Sequence, residues 1–327
     1  MPATIREIAK ATQLSVGTVS RALKNQSGLT ETTRAKVQQC ARALGYDFGK
    51  LKQGRLRRIA FLLHSQHNTL SSSPFYSPVL HGAEEACRRA GLVLSFIAAS
   101  PTEPVLEQIR LHQTDAILCA GFFEPELLAA LRDTGKPIAL IDLHAPGYNS
   151  INPDHRLGGY LATKHLIQCG RKRIAMLSGS LAHYSVQERL HGFRKALYDA
   201  RMLANPALEI CIPAQVNHVQ GVNSAMQELL ALSPRPDAIF CYNDSTAILA
   251  MRHCLEAGLK VPHDIAIIGF DDISTAAMSV PPLSTIRVNK EALGAAGVEL
   301  LLEPTSVSAV QKISPVELVM RESSSDE

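Results

Sequence analysis

From Ile59 onward, short unbroken apolar runs alternate with longer stretches whose apolar positions recur every three to four residues. The runs are IAFLL at 59–63, LVLSFIA at 92–98, AILCAG at 116–121, IALID at 138–142, IAMLSG at 174–179, AIFCYND at 238–244 and IAIIGFDD at 265–272. The stretches at 79–90, 155–169, 187–201 and 245–257 carry the helical period. Apolar runs without polar alternation suit strands covered on both faces, and the segments between them supply the crossovers. The pattern predicts an α/β body of doubly wound parallel sheets with right-handed connections. Seven or more strands over this length suit two similar lobes.

The first 46 residues follow a different rhythm. Thr4-Ile5-Arg6-Glu7 reads as a capping box, after which Ile5, Ile8 and Ala9 share one helical face. The pattern breaks at Thr12-Gln13-Leu14, and Ser15 offers a second N-cap ahead of Val19, Ala22 and Leu23. Thr30 caps a third helix whose apolar face runs through Val37, Ala41 and Leu44, and Gly45 supplies a left-handed stop. Three short helices, the first two joined by a tight turn, make a helix-turn-helix head.

Charge sharpens this division. The net +3 of the chain conceals a head and linker, residues 1–58, with twelve Lys or Arg and three Asp or Glu, a net of +9; the remainder carries −6. A basic head on an acidic body is expected to meet a polyanion. The seven cysteines are odd in number, widely spaced and never in a C-x-x-C pair, which argues against a disulfide framework or a zinc site. MPATIREIAK is charged where a signal peptide needs an apolar run, and no stretch long enough to span a membrane occurs. The expected location is cytoplasmic, with no membrane partner.

In a helix-turn-helix the second helix enters the major groove, so its exposed N-terminal edge reads bases. Those positions hold Val16, Gly17 and Arg21. Arg21 has the fork to grip guanine O6 and N7, Val16 offers a thymine methyl only apolar contact, and Gly17 offers no side chain. Thr4, Thr18, Ser20, Asn25 and Thr33 are hydroxyl or amide groups near helix starts, suited to phosphates.

The string T-I-R-E-I-A-K-A-T-Q-L-S-V-G-T-V-S-R-A-L, followed by T-R-A-K-V and A-L-G-Y, resembles the head of the LacI/GalR family of sugar-responsive transcriptional regulators. H-L-I-Q-C-G-R-K-R-I-A-M-L, S-V-Q-E-R-L-H-G-F, Y-N-D-S-T-A, V-P-H-D-I-A-I-I-G-F-D-D and P-P-L-S-T-I extend the resemblance over essentially the whole chain. It implies a homodimer on double-stranded operator DNA, a periplasmic-binding-protein-like body, and a hinge that pushes a leucine into the minor groove. After Gly45-Tyr46 this chain departs from the family's usual Pro-Asn and Ala-Arg-x-Leu, reading D-F-G-K-L-K-Q-G-R-L-R-R instead. Leu51 and Leu56 are the candidates for insertion; Gly49 and Gly54 weaken a hinge helix, and the basic residues, Lys50 and Lys52 among them, are suited to phosphates. The expected division is a head at 1–46, a hinge at 47–58, a body at 59–322 and a tail at 323–327. Within the body the N-lobe takes 59–154 and 287–303, and the C-lobe 155–284 and 304–322. No heptad tail follows residue 303, which favours dimers over tetramers.

Ligands of such sheets bind beyond the carboxyl ends of the strands. Asp142, Asn243-Asp244 and Asp271-Asp272 end three of them, although a lone polar residue there commonly begins a turn, and Asp244 is a candidate helix cap. The resemblance implies that Asp142, Arg189, Asn243 and Asp271 line an effector cleft. Carboxylates that accept hydroxyl hydrogens, beside Arg and Asn donors, suit a small sugar-like effector, with no cofactor expected. Phe75 and Tyr76 are placed either to lay a ring on a pyranose or to fill the core. Relatives often place an aromatic near Pro213-Ala214-Gln215, where this chain has none.

Two rival readings share parts of this sequence. A glycosidase using Asp142 and Asp271 lacks support, since no G-x-S-x-G, P-loop or H-E-x-x-H occurs; His64 and His67 make an H-x-x-H pair in a Ser/Asn-rich stretch without a third ligand, which reads as a solvated loop and not a metal site. A sugar-binding protein without a regulatory role would share the body but not the DNA-reading head.

Overall fold

A computed structural model of the chain describes residues 3–23, 29–46, 56–64, 74–99, 104–303 and 309–325. The head holds α1 (Ile5–Thr12), α2 (Val16–Leu23) and α3 (Glu31–Ala43). The capping box forms: Glu7 N–H donates to Thr4 Oγ1 at 3.3 Å, and Thr4 N–H donates to the Glu7 carboxylate at 2.6 Å. Ser15 Oγ accepts the Thr18 amide at 3.0 Å to start α2, and Gly45, at φ +64°, ends the third helix while Tyr46 N–H returns to Ala41 O. Ile8, Val19, Ala22, Val37 and Ala41 close a small core.

The N-lobe is built from β1 (Arg58–His64), α4 (Tyr76–Arg89), β2 (Val93–Ala99), α5 (Val105–Leu111), β3 (Ala116–Ala120), α6 (Pro125–Asp133), β4 (Ile138–Ile141) and β5 (Asn149–Pro153). The chain crosses after Pro153 into the C-lobe, with α7 (His155–Gln168), β6 (Ile174–Ser178), α8 (Tyr184–Asp199), β7 (Glu209–Cys211), α9 (His218–Ala231), β8 (Ala238–Cys241), α10 (Asp244–Glu256) and β9 (Ala266–Ile268). It returns through β10 (Thr285–Val288) to α11 (Lys290–Leu302), β11 (Gln311–Ser314) and β12 (Val316–Val319).

The N-lobe sheet has the order β11-β5-β4-β3-β1-β2 and the C-lobe sheet β7-β6-β8-β9, every pair parallel, while β10 and β12 form a separate antiparallel ribbon. All seven apolar runs contain strands. Two boundaries differ from expectation. Gln311–Ser314 pairs with Ser150–Pro153 and so extends the N-lobe sheet, not the C-lobe. The tail is stitched in from its first residue: Ser323 Oγ donates to Ile267 O at 2.6 Å and Ile267 N–H donates to Ser323 O at 2.8 Å. The short elements β5, β7, β10 and β12 carry no apolar run long enough to stand out in the sequence.

Both parallel sheets carry helices on their two faces. One core joins α4 and α11 to the inner N-lobe face and α7 and α8 to that of the C-lobe; α5 and α6 cover the outer N-lobe face, and α9 and α10 that of the C-lobe. The α7–α8 contact is close enough to decide what stands on it. A methyl group at Gly159 would sit 2.2 Å from Arg189 O, and one at Gly192 2.1 Å from Arg156 O, so only glycine permits this approach.

Candidate functional site

On the head, Val16, Gly17 and Arg21 face solvent along one side of α2, with Val16 48% exposed. Arg21, also exposed, lies one turn beyond Gly17 on the same helix. Thr18 and Ser20 are half-buried on the same helix, and Thr4 and Thr33 stand at the starts of α1 and α3. Asn25, Lys50, Leu51 and Lys52 lie outside the described residues. Leu56 packs against the core shared by the lobes, a place in the body and not on a free hinge.

Between the lobes lies a cleft of about 460 Å³. Strand ends and helix starts supply its walls, as the doubly wound topology requires. Phe75, Tyr76, Asp142, Arg189, Asn243 and Asp271 all line it. Asp142 follows β4 and Asp271 follows β9, and both hold left-handed backbone, at φ 57° and 111°. Residues with a Cβ adopt that region at a cost, and such strain clusters where function over-determines geometry.

Arg189 is the centre of the site and is 4% exposed. Its Nη2 donates to Asp271 Oδ1 at 3.2 Å, its Nη1 to Tyr242 O, and its Nε to His155 Nδ1 at 3.4 Å. The guanidinium carbon lies 3.7 Å from the centre of the Phe270 ring. On the N-lobe side, Tyr76 donates its hydroxyl to Asp142 Oδ2 at 2.7 Å, and His155 Nε2 stands 2.9 Å from Asp142 Oδ1. A buried chain of polar groups therefore runs Tyr76, Asp142, His155, Arg189, Asp271 across the lobes.

Burial works against ionising Asp142, but His155, Arg189 and Tyr76 hold its carboxyl below the usual range. For Asp271 burial prevails over Arg189 and Lys290, and its pKa rises to about 6. Behind it, Asp244 is fully buried and is pushed up to about 8, by desolvation and then by the charge of Asp271. Asn243, not Asp244, caps α10, since Asn243 Oδ1 accepts the Thr246 amide at 2.9 Å. Phe75 and Tyr76 are both buried in the core while lining the cleft, their rings edge to face at 5.0 Å. Near residues 213–215 the wall is Ile212, Pro213, Ala214 and Val216. His64 does not lie in a solvated loop: it ends β1, buried 3.1 Å from Glu124 Oε1, while His67 lies outside the described residues. Among the described residues no group of three or more His, Cys, Asp or Glu is placed to hold a metal, and no helix is long and apolar enough to cross a membrane.

Sequence reasoning missed His155, Ser180, His183, Ser185, Asn217, His218 and Tyr242. Tyr242 and Ser245 adjoin the predicted Asn243, so a strand-end signal was present there. His155 had no such signal, because it meets Asp142 and Arg189 only once the two lobes come together.

The family description "Bacterial regulatory proteins, lacI family" matches residues 4–47, and a periplasmic binding protein-like domain matches residues 163–324. The HTH-type transcriptional repressor PurR of Aliivibrio salmonicida (strain LFI1238) is 31% identical over 92% of each chain, and PurR of Haemophilus influenzae (strain PittEE) 31% over 98% of each. The chain belongs to the lacI family. Among solved structures, a complex of the transcriptional regulator CelR with cellobiose superposes with TM-score 0.73 at 25% identity, covering 98% of this chain and 99% of that one. A LacI family regulator of Enterococcus faecium with bound ribose gives 0.71 at 25%, covering 82% and 99%. The lac repressor dimer bound to operator and the anti-inducer ONPF gives 0.71 at 24%, over 99% of each, and shows the fold. As a lacI family member the chain is a DNA-binding transcriptional repressor, not an enzyme, and its head is the DNA-binding part.

Proposed function

We propose that this repressor controls carbohydrate-utilisation genes as a cytoplasmic homodimer, through a small sugar or sugar derivative bound between the lobes. The observation that carries this reading is the cleft itself: Asp142 from one lobe and Asp271 from the other converge on one cavity with Arg189 and Asn243. A polyol hydroxyl donates to a carboxylate and accepts from a guanidinium or amide, so such a set suits vicinal hydroxyls. Phe75 and Tyr242 add ring surface for the apolar face of a sugar. A cavity of about 460 Å³ accommodates a mono- or disaccharide. The cellobiose and ribose held by the two structural neighbours favour the same class. Exposed Val93 and Phe96 on β2, and Met278 and Val280 after β9, offer apolar surface for a second copy.

Thermal-shift screening against neutral sugars, sugar phosphates and nucleobases tests the reading. A ligand specific to the folded state adds about 2.7 kcal/mol at a hundredfold excess over its Kd. Stabilisation by a sugar, abolished in Asp142→Asn, supports it. Stabilisation by a nucleobase alone would replace the effector class.

A further inference from the structure

His155 does not line the cleft, yet it touches both halves of the polar chain behind it. It opens α7, two residues after the strand that leaves the N-lobe, and is 2% exposed. Its Nε2 meets Asp142 of the N-lobe, and its Nδ1 accepts from Arg189 of the C-lobe. A guanidinium Nε–H can only donate, so Nδ1 must present a lone pair and the ring's single proton sits on Nε2, 2.9 Å from the carboxylate oxygen though off the line of a hydrogen bond. Protonating the ring would set a second N–H and a positive charge against Arg189.

We propose that His155 is a positioning residue which, as the neutral Nε2–H imidazole, holds Asp142 of one lobe and Arg189 of the other in register for the effector. It rests on reading the cleft as the effector site. Arg189 is the shared member: its Nε rests on His155 while its Nη2 holds Asp271, so losing the first contact leaves a buried Nε–H without that acceptor and only Tyr242 O, Asp271 and the Phe270 face to fix the guanidinium. The groups that face His155 are Asp142 and, through it, Tyr76 from the N-lobe; Arg189, Glu188 and Tyr184 from α8; and Asp154 and Arg156 on either side of it. Asp271 stands beyond Arg189. The Phe270 ring covers the imidazole at 6.0 Å. Burial and Arg189 lower the His155 pKa, and Asp142 and Glu188 oppose them. The neutral form is therefore the resting one, and effector affinity should fall as the ring is protonated.

The test uses the full chain with ¹⁵N-labelled histidine, His155 being assigned by its loss in His155→Gln. The expected spectrum shows the neutral Nε2–H tautomer at neutral pH, with a midpoint below that of free imidazole. Arg189→Met should move that midpoint up, and Asp142→Asn should move it down. An Nδ1–H tautomer, a cationic ring at neutral pH, or midpoints indifferent to both variants would overturn the proposal. In a second arm, cellobiose and D-ribose are titrated calorimetrically. For whichever binds the wild type, His155→Leu should lose about tenfold or more in affinity. His155→Gln, whose amide can still reach Asp142, should recover part of it. Equal affinity in all three proteins would also overturn the proposal. If neither sugar nor any screened ligand binds the wild type, the effector reading fails, while the spectra still decide the role of His155.

Discussion

Asp244 meets the Thr285 hydroxyl at 2.5 Å through Oδ1 and accepts the Ile273 amide at 2.9 Å through Oδ2, out of reach of solvent. Its pKa of about 8 lies above that of an unfolded aspartate, so the native state keeps a proton that the unfolded chain has released. The resulting stability is complete below the ordinary carboxylate range and is lost as pH rises through about 8. Asp244→Asn mimics the protonated acid, with an amide to offer Thr285 and a carbonyl for Ile273. We predict that between about pH 6 and 9 the wild-type Tm declines while that of the variant declines less; parallel profiles would show that Asp244 ionises without penalty. The neighbouring buried pair behaves differently. Arg189→Ala strands Asp271 without its guanidinium, a change of the kind that typically costs about 3–5 kcal/mol. On the proposed reading of the cleft it should abolish the effector response while operator binding persists at temperatures where the variant stays folded. Calorimetry beside an operator shift assay measures both, and a normal sugar isotherm would move the site elsewhere.

Among the elements, α7 and α8 are joined backbone to backbone, so the geometry of Arg189 depends on two glycines that do not themselves line the cleft. Gly159→Ala must push α8 outward and should destabilise by about 1–3 kcal/mol, as overpacking does. It should weaken effector binding beyond what its Tm loss explains, and a variant with reduced Tm but unchanged affinity would show that Arg189 adapts. Much at this scale was legible beforehand. All seven apolar runs became strands because parallel strands buried on both faces need unbroken apolar sequence. The three head helices began at the hydroxyl caps read from Thr4, Ser15 and Thr30, since capping is a local interaction that sequence displays directly. β11 is hidden in the sequence because QKIS carries no such run and takes its place only by pairing with β5. The strand-end residues of the cleft were legible for the same topological reason. His155 was not, since its partners come from segments 13 and 34 positions away on different lobes.

Across the whole molecule, the decisive asymmetry is a basic head on an acidic body, and it separates two ways of holding DNA. The +9 of residues 1–58 displaces condensed counterions, so operator affinity should fall on the order of a thousandfold between about 50 and 200 mM salt. The body without those residues should not bind, and salt-independent binding, or binding by the body alone, would refute this. Sequence preference must come from elsewhere, because phosphate contacts carry no base information. On α2 the groove-facing side chains reduce to an exposed valine, a glycine and Arg21, so direct discrimination should rest mostly on Arg21, whose bidentate grip on guanine is worth about 1–3 kcal/mol. Arg21→Ala should flatten preference at one base pair of each half-site, whereas Lys50→Ala should weaken all sequences alike and reduce the salt slope. The competing account places specificity in DNA deformation around the hinge. Selection on randomised half-sites distinguishes them: an Arg21→Ala repressor that keeps the wild-type preference at every position would transfer specificity from the helix to the shape of the operator.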